Sequence, residues 1–163
     1  IADTGKPPNT DGHTRTWKPT QKTPPVPRTT PPASVEAAPA AARPLLEAVK
    51  KQIGSVPNLF RVVANSPAAL EGYLGLNGAL SKGSLDAATR ERIAIAVAEI
   101  NGCGYCLSAH SFIGKNVAKL DDTEITANRS GASNDLKASA AVRLAARVVG
   151  ARGHVRDADI AAA

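Results

Sequence analysis

The chain has two cysteines, three residues apart in Cys103-Gly104-Tyr105-Cys106, and His110 follows the second by four residues. Thiols at this spacing, where a helix opens, can close a disulfide across one turn, and the first-turn amides of a helix stabilise a thiolate. At i+4 from Cys106, His110 shares its face and can accept its proton. Two carboxylates are candidates to orient the imidazole or relay its proton: Glu99, four residues before Cys103, and Glu91, two turns earlier on the same helix. Either would complete a thiol version of nucleophile, base and orienting acid. Which thiol attacks stays open, since the helix terminus favours Cys103 and the histidine favours Cys106.

Other readings compete at the same residues. Structural zinc needs more ligands than one Cys pair, and the remaining histidines, His13 and His154, sit in a tail and a terminal linker. Two buried structural cysteines are a stronger alternative, because free cysteine packs as a small hydrophobe. Tyr105 reads as a packing or pocket-wall residue. Gly102 and Gly104 most simply permit the turn into the helix.

The elements that must position these groups read as helices throughout. Leu45, Leu46, Val49 and Ile53 recur on one face after Pro44, and a short helix is expected over Pro57 to Ala64. Ser66-Pro67 is a start signal for a helix running to about Lys82, with Leu70, Tyr73, Leu74, Leu76 and Leu80 as its apolar side and Gly83 as its stop. Asp86 is expected to cap a helix from Ala87 to Ile100, which Asn101-Gly102 breaks. The Cys-X-X-Cys helix should run from Cys103 to about Leu120, a short one capped by Asp122 through Asn128, and a long one from Asn134 to Arg152. A further cap near Asp157 opens a helix that stops at Ala163, as expected of a core whose C-terminal helices are missing.

Composition supports this fold class. Of the 163 residues, 43% are hydrophobic, yet only Trp17, Phe60, Tyr73, Tyr105 and Phe112 are aromatic, so the core must be built from Ala, Leu, Val and Ile. That suits closely packed helices better than a sandwich or barrel. Ten of the 12 prolines fall within the first 44 residues, and residues 1–33 read as an extended Pro/Thr-rich tail preceding a helical domain over 34–163. The net charge of +6 is half in that tail and half spread over the remainder. It forms no basic stripe with base-stacking residues, so neither a nucleic-acid partner nor a membrane-surface helix is expected. The apolar run Ile93 to Ala98 is far short of the ~20 residues of a membrane span. No secretory signal opens the chain, and a cytoplasmic location is expected.

The 21 residues from Arg90 to His110, Arg-Glu-Arg-Ile-Ala-Ile-Ala-Val-Ala-Glu-Ile-Asn-Gly-Cys-Gly-Tyr-Cys-Leu-Ser-Ala-His, resemble the core of alkylhydroperoxidase D-like proteins in the carboxymuconolactone decarboxylase superfamily. Pro57-Asn58-Leu59-Phe60 and the Leu70 to Leu80 helix are similar to its peroxidase-related branch. The resemblance implies an all-α, homo-oligomeric helical bundle that reduces hydroperoxides through a cysteine pair. It assigns Cys106 to peroxide attack, Cys103 to resolution of the sulfenic acid, His110 and Glu91 to proton relay, and a less defined role to Glu99. A hydroperoxide substrate and an external dithiol or thioredoxin-like reductant follow, with no metal or organic cofactor. Tyr105 departs from the pattern, since alkylhydroperoxidase D has a histidine there. Two other functions remain in view: a noncatalytic helical oligomerisation module with a structural or redox-responsive Cys-X-X-Cys, and a carboxymuconolactone decarboxylase-like lyase.

Overall fold

The computed structural model describes residues 29–163; residues 1–28 of the Pro/Thr-rich segment, Trp17 included, lie outside them. Every regular element among the described residues is helical. A 3-10 turn at Ala40–Ala42 leads into α1 (Arg43–Ile53), α2 (Asn58–Val63) and α3 (Pro67–Leu80). Then come α4 (Ala87–Ile100), α5 (Gly104–Asn116), α6 (Asp122–Arg129), α7 (Leu136–Gly150) and α8 (Asp157–Ala161).

Short polar side chains begin α3, α4, α6 and α7 by taking up amides that no helical carbonyl can reach. The Ser66 hydroxyl accepts the Ala69 N–H at 3.3 Å, and the Asp86 carboxylate accepts that of Thr89 at 2.6 Å. At α6 the cap is Asp121 rather than the expected Asp122. Asp121 has the extended backbone a cap requires and takes the Glu124 N–H at 2.7 Å, whereas Asp122 is already helical. Asp135 likewise caps α7, one residue beyond the expected start at Asn134. Helix α3 closes at Leu80, before the expected Lys82, as the Ser81 hydroxyl turns back to the Gly78 carbonyl at 2.8 Å.

The first elements share one apolar cluster, in which Ala38, Ala42, Leu46, Ala64 and Leu70 are buried and Phe60, Val63 and Leu74 pack against them. Phe60 and Tyr73 meet edge to face at 5.8 Å between centroids. Thr30, Pro32 and Ala33 lie along α2, their carbonyls accepting from the side chains of Asn65 and Arg61. The second half is organised around α4, which packs on α5, α6 and α7 and buries Ile95, Ala96 and Ala98 among them.

Of the five residues expected as the apolar side of α3, Leu70 is buried and Leu74 half-buried, while Tyr73, Leu76 and Leu80 are exposed. Among the described residues too few neighbours lie over the C-terminal half of α3 to cover them, and it faces an opening instead of the core. Helix α5 also departs from expectation, ending at Asn116 rather than near Leu120. The chain folds back so that the Leu120 N–H reaches the Gly114 carbonyl at 2.9 Å and its side chain is buried.

Candidate active site

The α4 to α5 connection places the cysteines. After Ile100 the chain turns through Gly102, whose φ of 63° lies in the left-handed region that glycine enters without steric cost. The Cys103 N–H then bonds back to the Ala98 carbonyl, and Cys103 becomes the N-cap of α5. Its sulfur accepts the Cys106 N–H at 3.2 Å, the role a serine oxygen plays elsewhere. The two sulfurs are joined as a disulfide, with the Cα atoms 5.3 Å apart. Both cysteines are half-buried and Tyr105 between them is exposed.

His110 lies one turn beyond Cys106, and its Nδ1 stands 2.8 Å from Glu91 Oε2, a contact between α5 and α4. A carboxylate only accepts, so in the neutral ring Nδ1 carries the proton and Nε2 is left as the acceptor. Glu91 is more enclosed than its partner, with side-chain exposures of 19% and 36%. Of the two carboxylates read as partners for this histidine, Glu91 meets it and Glu99 does not. Glu99 Oε2 is 2.7 Å from Arg129 Nε, an ion pair joining the ends of α4 and α6.

The helices that carry these groups approach closely because Gly114, one turn after His110, is fully covered. A Cβ there would lie 3.2 Å from Leu120 Cδ1 and 3.4 Å from Ile95 Cδ1. Behind α4, Glu124 of α6 is buried within a set of donors: Arg92 Nε at 2.8 Å, Ser133 Oγ at 2.5 Å, Asn128 Nδ2 at 2.9 Å and the Asn134 N–H at 2.8 Å. Burial alone would raise its carboxyl, but the hydrogen bonds from Ser133, Asn128, Asn134 and Arg92 outweigh it and hold the pKa down to about 2. This network fixes α4, and with it Glu91, against α6 and the start of α7.

His110 and Glu91 open onto a cleft of about 350 Å³. One wall comes from α3 and the residue after it, with Tyr73, Leu76, Asn77, Leu80 and Ser81; the other adds Arg90 and Ala94 of α4. The cysteines are not in its lining, and lie behind the histidine along α5. The cleft was not foreseen from the sequence. Its only advance signal was α3 itself, which carries more large apolar residues than one buried face can take.

The helical arrangement is similar to that of two solved structures. The alkylhydroperoxidase AhpD core of an uncharacterized peroxidase-related protein from Ralstonia eutropha JMP134 is 28% identical, with a TM-score of 0.69 over 82% of this chain and 72% of that one. An uncharacterized peroxidase-related protein from Silicibacter sp. TM1040 is 23% identical, with a TM-score of 0.68 over 86% and 76%; this likeness is one of fold. No curated protein matches the sequence. The fold class is therefore an all-helical domain of the alkylhydroperoxidase D type. The chain belongs to the carboxymuconolactone decarboxylase family, whose model matches residues 67–151. No helix among the described residues is long and apolar enough to cross a membrane.

Proposed function

We propose that the protein is a thiol-dependent peroxidase, and that the disulfide-bonded pair is its oxidised state. The observation that carries this reading is the alignment along α5 of the Cys103–Cys106 disulfide and, one turn on, a histidine held by a half-buried carboxylate 2.8 Å away. In the reduced protein the Cys106 thiolate attacks one oxygen of a hydroperoxide, forming an S–O bond as the O–O bond breaks. Cys106 becomes a sulfenic acid and the alkoxide leaves as an alcohol, taking the proton that His110, oriented by Glu91, has received from the thiol. The Cys103 thiol then displaces water from the sulfenic acid, closing the disulfide. An external dithiol of thioredoxin-like kind supplies the two electrons and two protons that reopen it.

The experiment is peroxide consumption by single cysteine variants with a dithiol reductant. Cys106→Ser is expected to abolish turnover, and Cys103→Ser to stop after one equivalent with a sulfenic acid that dimedone traps at Cys106. Full turnover by both variants would overturn the mechanism. The assembly expected of this class is a homo-oligomer, supported by Phe112 on α5 and Val117 just after it, which are 67% and 69% exposed. Sedimentation velocity tests it, with a single-chain mass as the contrary result.

A further inference from the structure

The cleft beside His110 has a chemical asymmetry that hydroperoxide reduction alone does not require. On the α3 side Tyr73, Leu76 and Leu80 present apolar surface to it, the two leucines more than half exposed. On the α4 side the charged residues are Arg90 and Glu91, and Glu91 is engaged by His110. Arg90 has no carboxylate partner among the described residues. Its Nη1 donates to the Leu85 carbonyl at 2.5 Å and reaches the Ser81 carbonyl at 3.5 Å. These contacts brace the guanidinium against the α3 to α4 loop, and among the described residues its other nitrogens donate to no partner. A braced arginine fork matches a carboxylate in shape and charge. Ala94, one turn after Arg90, adds only a methyl group to this wall.

We propose that this cleft binds an organic hydroperoxide bearing a carboxylate, with Arg90 holding the carboxylate and Tyr73, Leu76 and Leu80 covering the apolar body. The proposal rests on the peroxidase reading and narrows its substrate class. Cys106 lies four residues, about 6 Å along α5, from His110 at the cleft. A ligand in the cleft therefore needs to project its hydroperoxide past His110 by about one helical turn to meet the thiol. Arg90 and Glu91 are adjacent on α4, and the pairing of Glu91 with His110 reduces the repulsion that a second carboxylate would otherwise meet there.

Two measurements on the full chain test it. The first is calorimetric titration with the unreactive 4-isopropylbenzoate and its neutral isostere 4-isopropylbenzamide. The acid is expected to bind about tenfold more tightly, as one charge-assisted contact provides. Arg90→Gln, which removes the charge and the guanidinium fork, should abolish the preference, and Arg90→Lys should restore part of it. Equal affinity for acid and amide in the wild type, or a preference that survives Arg90→Gln, would overturn the assignment. The second compares kcat/KM for cumene hydroperoxide and its 4-carboxylate, where the same preference and the same loss are expected. Turnover of both without preference removes the carboxylate site and leaves the peroxidase. Acid-selective binding with no turnover of either removes the peroxidase reading and leaves an anion site.

Discussion

Glu91 and His110 are 19 residues apart in sequence and 2.8 Å apart in space, whereas Glu99, nearer in sequence to the cysteines, faces Arg129. The difference lies in which side of α4 each carboxylate occupies: Glu91 is on the side that α5 and the cleft share, and Glu99 on the side met by α6. Glu91→Gln removes the charge that orients the imidazole and stabilises it once protonated, while preserving shape. It is expected to lower kcat/KM for peroxide about 10²-fold, at the low end for a general-base device. Glu99→Gln should change it by no more than about threefold and stability by less than about 1 kcal/mol, as for an ion pair near the surface. Steady-state kinetics on the two variants side by side decides the matter, and equal losses would show that Glu99 also serves the site. By spacing alone the two were equivalent, because the break at Asn101-Gly102 prevents one helical wheel from spanning both Glu99 and the cysteines; the family resemblance was what singled out Glu91.

At the scale of elements, the geometry of the candidate site depends on how near α5 lies to α4, and Gly114 permits that approach. A β-branched side chain at this covered position overpacks the contact with Leu120 and Ile95. Gly114→Val is therefore expected to cost about 1–3 kcal/mol and to part His110 from Glu91. Gly114→Ala should be close to neutral: the nearest atoms are ends of flexible side chains, and alanine is the better helix former by about 1 kcal/mol. Thermal unfolding should rank wild type and Ala together above Val, and peroxide turnover should fall only in Val. The helices themselves were legible, since Ser66-Pro67, Asp86 and the apolar repeats mark them locally. Their ends were less so. Whether Asp121 or Asp122 caps α6 depends on one residue's backbone angles, and the early end of α5 depends on Leu120 finding a place beneath Gly114, a contact six residues back along the chain.

At the scale of the molecule, a self-contained apolar cluster of α1 to α3 stands beside an α4-centred half, and the cleft is where they meet. The all-helical class follows from an alanine-rich, aromatic-poor composition, but the cleft could not be read that way. Tyr73, Leu76 and Leu80 look like core residues by period, and only the packing of other helices decides whether they are covered. The α4-centred half is pinned by Glu124, whose donors come from α4, α6 and the α6 to α7 loop. Its pKa is lowered in the fold from 4.5 to about 2, so the folded protein holds the charge more readily than the unfolded chain does. The stabilisation is therefore fully present above about pH 4.5 and is lost as pH falls toward about 2, a contribution of roughly 3 kcal/mol. Glu124→Gln should remove about this amount at pH 7 and almost none near pH 2, where wild-type Glu124 is itself becoming neutral. Denaturant unfolding of both proteins at pH 7, 4 and 2.5 would display the convergence. A gap that stays constant with pH would mean that the Glu124 side chain stabilises through packing and neutral hydrogen bonds, and that its charge has little part in holding α4 in register with the site.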